Sequence, residues 1–277
     1  MQIRYNINSF NIAQSPSGFP IHMNVVIIIP TYNESENIDS LAERISAILP
    51  EAHLMLMDDN SPDGTAEIAE KLFRSDSKFK NFQAIRREGR RGLGRSYCDG
   101  FQRALSAGYD RIIQMDADLS HNPSYLPSLL EASAESDLVI GSRYCPGGGV
   151  RNWSAHRVWL SKFANWYVHK IAGIPVLDVT AGYRCWTSRA LKAVQVQTVA
   201  SEGYSFQVEM SHRATRAGMK ISEVPIVFTD REFGKSKISR SVLLESALMP
   251  WKLRLNPWSP LIATYAPIVE KAGEEIR

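Results

Sequence analysis

What the chain lacks narrows it first. No stretch of its 277 residues approaches the roughly 18 consecutive apolar residues that a membrane-spanning helix needs. Its three cysteines, Cys98, Cys145 and Cys185, are odd in number and far apart. That fits neither a disulfide framework nor a zinc site and points to a reducing compartment. The G-x-G-x-x-G fingerprint is missing after the first apolar run, and with it a Rossmann NAD site; the Walker-A lysine pattern is missing too. There is no internal repeat and no long linker. Excess charge of one sign is scarce: 32 Lys and Arg against 29 Asp and Glu leave +3, too little to argue for nucleic acid. The first 23 residues are rich in Asn, Ser and Gln and lack the apolar core of a signal peptide; they are expected to form a poorly ordered extension.

What is present is an alternation. "NVVIIIPTYNE" reads as a buried strand stopped by Pro30, and a helix is expected over 35–49, with Leu41, Ile45 and Ile48 at helical spacing. "HLMLMDDNSPDGT" repeats the pattern and is followed by a helix over 66–73. "NFQAIRR" is a third strand, and Ser96 caps a helix to Ala107. "RIIQMDAD" is a fourth strand, 123–134 a helix and "DLVIGSRY" a fifth strand. A helix over 206–217 and the strand "ISEVPIVF" complete the series. Short buried strands alternating with helices predict one doubly wound, mostly parallel sheet. Ligands bind such sheets beyond the carboxyl ends of the strands. Glu34, Asp58 with Asp59, and Asp116 with Asp118 would all gather there.

Those strand ends carry the chemistry. In "MDADLS", Asp116, Asp118 and Ser120 alternate, so on a strand they share one face. Like charges side by side call for a cation, and hard divalent ions such as Mg²⁺ or Mn²⁺ take one or two carboxylates plus phosphate oxygens. A solvated acidic turn has the same spacing. "RREGRRGLGRS" holds Arg86, Arg87, Arg90, Arg91 and Arg95 among glycines, as a phosphate-binding lid or a solvated basic loop would. In "NWSAHRVWLSKFANWYVHKIAG", Trp153, Trp159, Phe163, Trp166 and Tyr167 interleave with Arg157, Lys162, His169 and Lys170. Arg157 and Ser161, four apart, face the same way on a helix. The aromatics fill no single narrow stripe, which suits a membrane surface, although a core helix is the competing reading. "DREFGKSKISR" places Arg231 and Lys237 around Gly234, where a loop can close over a diphosphate.

Taken together, "IIIPTYNE", "DDNSPDGT", "GLG", "MDADLSHNP", "IGSRY", "DVTAGYRCW", "FQVEM" and "EVPIVFTDREFGKSK" resemble the dolichol- or polyprenol-phosphate mannosyltransferases, family 2 glycosyltransferases of the GT-A fold. The resemblance runs from Val25 to Glu245. It implies a catalytic domain over 24–245 and an amphipathic, then polar, tail over 246–277. It further implies transfer of mannose from GDP-mannose to a polyprenyl or dolichyl phosphate, with inversion; glucose from UDP-glucose is the alternative. By the same resemblance Pro30, Tyr32, Glu34, Met57, Asp59, Asp116, Ala117, Asp118 and Arg143 bind the nucleotide-sugar. Asp116, Asp118 and Ser120 hold the cation. Arg143, Arg157 and Ser161 hold the acceptor phosphate. Arg231 and Lys237 close over the donor and, with Asp118, are catalytic. The expected partners are the two substrates and a cytoplasmic membrane surface, reached by peripheral docking or through a membrane-protein partner, with no nucleic acid.

Overall fold

Alternation along β1 (Val25–Thr31) decides the layering. Val26 and Ile28 point to one face of the sheet and Ile27 and Ile29 to the other, all fully buried. The coordinates are a computed structural model whose described residues are 23–230 and 240–258, the side chains of 240–245 excepted. The elements that follow are α1 (Ile38–Ile48), β2 (His53–Asp58), α2 (Thr65–Ser75), β3 (Phe82–Arg86), α3 (Leu93–Ser106), β4 (Arg111–Gln114) and α4 (Leu126–Ala132). Next come β5 (Leu138–Ser142), β6 (Gly149–Arg151), α5 (Ala155–Ala172), β7 (Arg184–Thr187) and α6 (Ser188–Ala193). The last are α7 (Gly203–Arg216), β8 (Ile221–Pro225), β9 (Val227–Thr229) and α8 (Arg240–Leu255).

The main sheet has seven strands in the order β3-β2-β1-β4-β7-β5-β8, and β6 pairs with β9 in a small second sheet. Every pair in the main sheet is parallel except those of β7, which runs antiparallel between β4 and β5. The expected mostly parallel sheet is present. The strands β6 and β7 and the helix α6 carried no strong periodicity and were not anticipated, and the single strand expected over "ISEVPIVF" is divided between β8 of the main sheet and β9 of the small one. Helices α1, α2 and α4 cover one face through residues such as Leu41, Phe73 and Leu129. The other face takes Phe101 of α3, Met210 of α7, and Met249 and Leu253 of α8. Helix α8 therefore crosses the expected boundary at residue 245 and belongs to the core on its inner side.

Two sequence details place strand ends. The Ile28 carbonyl accepts from Met115 N–H and the Thr31 carbonyl from Asp59 N–H, so successive residues of β1 face β4 and β2 by turns. Pro30 faces the β4 side beyond the last β4 pairing at Ile28, where no ladder donor is missed. Gly100 lets α3 lie close on β1: a methyl group there would sit 2.5 Å from Ile28 Cγ2.

Gly100→Ala sets two effects against each other. Helix propensity favours alanine by about 1 kcal/mol, while overpacking costs about 1–3 kcal/mol. Urea unfolding should therefore give a lower midpoint than wild type; an equal or higher midpoint would mean that α3 can retreat from β1.

Candidate functional site

The loops after β1 and β2 are sewn together before any ligand arrives. Asn33, Glu34 and Ser35 donate their N–H groups to Ser61 Oγ, Thr65 Oγ1 and Asp63 Oδ2 at 3.0–3.1 Å. Burial pushes the Asp63 carboxyl up, but hydrogen bonds from Thr65 and Ser35 outweigh it and hold it below the usual range. Asp58 is fully buried and accepts from Thr31 Oγ1 (3.0 Å), Ser61 N (2.9 Å) and Ser61 Oγ (2.5 Å). Of the adjacent aspartates it is the brace. Asp59 accepts from Gly92 N (2.9 Å) and from Arg87 Nη1, which fastens the Gly-Arg loop to the end of β2. Tyr32 accepts from Arg91 Nη1, whose guanidinium lies 4.3 Å from the ring centre. Glu34 accepts from Asn37 Nδ2 at 2.9 Å. Met57 does not reach the open edge: it is fully buried and packs towards Gly100 of α3.

The acidic pair differs from its expected form in one respect. Strand β4 ends at Gln114, so Asp116, Asp118 and Ser120 lie in the loop beyond it. Met115, Ala117 and Leu119 still point into the core, which leaves the two aspartates on the outer side. Ser120 arrives by a turn: Leu119 has φ +60°, and Ser120 donates its N–H (3.2 Å) and hydroxyl (2.5 Å) to Asp118 Oδ1. Asp116 Oδ1 accepts from Tyr97 Oη at 3.0 Å, and its N–H donates to His121 Nδ1 at 3.0 Å. Tyr97 is fully buried and stacked on Phe101 and Phe206. Burial first, then the charges of Asp116 and Asp118, push its hydroxyl well above the ordinary tyrosine value, so it stays a proton donor.

This donor set is all oxygen. The His121 ring is stacked 4.9 Å from Tyr183 and its Nδ1 is taken by the backbone. Among the described residues no group of three or more Asp, Glu, His or Cys could hold a metal unaided. Two carboxylates and a hydroxyl, with room for ligand phosphate oxygens, suit a hard divalent cation.

The loop before β7 joins this edge to the end of β5. Asp178, fully buried, accepts from Arg143 Nε (2.7 Å), Nη2 (2.6 Å) and backbone N (2.8 Å), and Arg143 Nη2 also donates to Thr180 Oγ1. Burial works against the Arg143 charge, but Asp178 outweighs it and holds the guanidinium above its usual value. At the other end of the loop, a methyl group on Gly182 would sit 3.3 Å from His121 and 3.5 Å from Asp116. Arg184 supports the loop from the core, donating to the carbonyls of Val179 (2.7 Å) and Ala181 (2.8 Å). Its complete burial pulls its pKa down to about 9, against the nearby charge of Asp178.

Arg157 lies 4.0 Å from the Trp153 ring centre and pairs with Asp230 at 2.7 Å. The Ser161 carbonyl accepts from Asn165 Nδ2, which also reaches Thr180. Arg231 and Lys237 lie outside the described residues, as do 1–22 and 259–277. Sequence reasoning missed Tyr97, His121, Gly182 and the partner of Arg143. One signal existed for the last: Asp178 is the only acid between Asp137 and Glu202, in a stretch rich in Arg and Lys.

Comparison with known proteins gives the family and the fold. Residues 26–194 match the family model described as glycosyl transferase family 2. The chain is 42% identical over 232 residues to the polyprenol monophosphomannose synthase of Mycolicibacterium smegmatis, covering 83% of this chain and 87% of that protein. It is 41% identical over 226 residues to the undecaprenyl-phosphate mannosyltransferase of Micrococcus luteus, covering 82% and 92%. Among solved structures, it resembles glucosyl-3-phosphoglycerate synthase from Mycobacterium tuberculosis in complex with Mn²⁺, UDP-glucose and phosphoglyceric acid. That match has a TM-score of 0.60 at 18% identity and covers 83% of this chain and 80% of the other.

Asp178→Asn should strand a buried guanidinium and cost about 3–5 kcal/mol of stability. In denaturant unfolding, the double variant Asp178→Asn, Arg143→Met should recover part of that loss. A single variant as stable as wild type would deny the pair its bracing role.

Proposed function

The chain belongs to glycosyltransferase family 2 and has the GT-A fold, and from that premise we propose that it transfers mannose from GDP-mannose to a polyprenyl or dolichyl monophosphate. The observation that carries this reading is the acidic pair, held by Tyr97 and by Ser120 at the ligand edge of the sheet, in a chain whose relatives are named for that acceptor class. A phosphate oxygen of the acceptor attacks the anomeric carbon, the bond to the diphosphate breaks, and GDP leaves with the electron pair; attack from the opposite side inverts the centre. The acceptor carries between one and two negative charges near neutral pH, so no strong general base is required. Catalysis is then positioning and charge compensation.

The residues divide that work. Asp116 and Asp118, with Ser120 bracing Asp118, would hold an Mg²⁺ or Mn²⁺ ion, which when bound supplies positive charge beside the diphosphate. Ser120 gives its proton to Asp118, so its contribution is to orient that carboxylate as much as to coordinate. Pro30, Tyr32, Glu34 and Asp59 line the nucleotide end; Met57 and Ala117 support it from the core. Arg143 spends Nε and Nη2 on Asp178 and Thr180, which leaves Nη1 for phosphate and fixes the guanidinium in orientation. Arg157 and Ser161 complete the acceptor end, and Arg231 and Lys237 close over the leaving diphosphate. A cavity of about 590 Å³ beside Arg143, lined by Val158, Lys162, Trp166, Val176 and Leu177, would take the first isoprene units.

Helix α5 supports docking on the cytoplasmic membrane surface. It contains no Asp or Glu, and it exposes Trp159 (67%), Leu160, Phe163 and Trp166. Helix α8 lies beside it, Tyr167 Oη donating to the Ala247 carbonyl, and exposes Leu248, Trp251 and Leu255. Aromatics flanked by Lys162, Lys170, Lys252 and Arg254 suit the interface of an anionic bilayer.

Incubation with labelled GDP-mannose or UDP-glucose, polyprenyl phosphate and Mg²⁺ or Mn²⁺ tests the reaction. Label from GDP-mannose should enter the lipid phase and be lost with chelator; transfer from UDP-glucose alone would overturn the reading. Asp118→Asn should cut kcat/KM by on the order of 100-fold with folding intact. Arg157→Ala should raise the acceptor KM about tenfold and leave the donor KM unchanged. Wild type should float with vesicles containing anionic lipid, while the triple variant Trp159→Ser, Trp166→Ser, Trp251→Ser should remain in the soluble fraction. Equal flotation of the two would move the membrane contact elsewhere.

A further inference from the structure

The strap between β3 and α3 treats its arginines unequally. Arg86 pairs with Glu67 (2.6 Å) and Glu70 (3.0 Å), Arg87 with Asp59 and Asp99 (3.3 Å), and Arg95 with Glu202 (3.3 Å). Among the described residues Arg91 has no carboxylate. It is exposed, its Nη1 donates to the neutral hydroxyl of Tyr32, and its guanidinium lies 4.3 Å from that ring centre. A cation whose partners are one hydroxyl and one ring face gives little up by turning to a ligand.

The ends of the strap are fixed by hydrogen bonds to carboxylates. Gly92 N–H is held by Asp59 (2.9 Å) and Gly94 N–H by Glu202 (2.9 Å), and the Glu202 carboxylate fills the space a Gly92 side chain would need. Between these anchors and Arg87 stands Gly89 (φ +106°), a backbone conformation that favours glycine. Only residues 88–91 lie between the fixed points.

Strand order says which part of a nucleotide-sugar would meet Arg91. The acidic pair follows β4, and the neighbours outward are β1, β2 and β3. With the nucleotide end at Tyr32 and Asp59, as proposed above, a donor whose diphosphate sits at Asp116 and Asp118 extends its nucleoside over β1 and β2 rather than over β7. The strap leaves β3 beyond them and reaches back to Tyr32 at the end of β1. Arg91 is therefore at the base end, away from the diphosphate.

We propose that Arg91 reads the donor's base, donating to the adjacent O6 and N7 acceptors of guanine as the base settles against Tyr32. This rests on the GDP-sugar reading above. Guanine offers two neighbouring acceptors that match the guanidinium fork, whereas uracil sets a ring N–H donor beside its O4 carbonyl. The residue thus selects GDP-sugars over UDP-sugars.

Calorimetric titration of wild type, Arg91→Ala and Arg91→Lys with GDP, 7-deaza-GDP and UDP, in the presence of Mg²⁺, tests this. Wild type should bind GDP about tenfold more tightly than 7-deaza-GDP, which lacks only the N7 acceptor. Arg91→Ala should bind the two equally, at or below the affinity of wild type for 7-deaza-GDP, and Arg91→Lys should fall between. The GDP-mannose KM of Arg91→Ala should rise by a similar factor with kcat unchanged. Equal binding of GDP and 7-deaza-GDP by wild type, or a difference that persists in Arg91→Ala, would overturn the proposal while leaving the donor assignment standing. Binding of UDP but not GDP by wild type would overturn both.

Discussion

A single buried guanidinium holds the site's two halves in register. Arg184 stands at the start of β7, the one strand of the main sheet that runs against its neighbours, and donates to the carbonyls of Val179 and Ala181. Burying a charge so completely is costly, and desolvation lowers the Arg184 pKa further than the nearby charge of Asp178 raises it. What the burial secures is the loop over 178–182. One end of it fixes Arg143 through Asp178; the other, at Gly182, lies against His121 and Asp116. Because β7 is antiparallel, its beginning lies at the edge where β4 and β5 end. A parallel strand in that slot would deliver its beginning to the opposite edge and leave Asp116 and Arg143 without a common support.

Charge at this edge is sorted by partner. Asp58 accepts from Thr31 and Ser61, Asp178 accepts from Arg143, and Arg184 donates to backbone carbonyls. Asp116 and Asp118 each accept from a hydroxyl, of Tyr97 and of Ser120. A hydroxyl orients a carboxylate without cancelling its charge, which is what a cation-binding pair requires. The arginines of the strap follow the same division: those that fasten the loop are paired with carboxylates, and Arg91 is paired with a hydroxyl and a ring.

Asp230 stands next to the ends proposed for acceptor and donor. It pairs with Arg157 on α5 and directly precedes Arg231 in the sequence. In the proposed reading, an acceptor phosphate at Arg157 would compete with Asp230 for the same guanidinium. Helix α5 has little to hold it in the core beyond Asn165 and Val168, and its outer aromatics face away from the domain. One helix therefore carries both Arg157 and Ser161 of the proposed acceptor end and the exposed aromatic face.

The sequence alone determined the parallel βα frame and its ligand edge, because burial on both faces forces near-continuous apolar runs and three of those runs end in carboxylate-bearing loops. It also determined the acidic pair and its chemistry, since two carboxylates and a hydroxyl spaced by two can be read without knowing their surroundings. It placed Ser120 near the pair for the wrong reason: the strand had ended, and a turn at Leu119 did what strand alternation was expected to do. Only the tertiary structure decided which groups are spent and which remain available. Asp58 and Asp59 are adjacent and identical in type, yet one is a buried brace and the other an anchor for a loop from across β3. Tyr97, Asp178 and Gly182 act on partners 19, 35 and 66 positions away. Contacts over such separations leave no local period, because they are set by strand order and by the reversal at β7, and those follow from how the whole sheet buries its two faces.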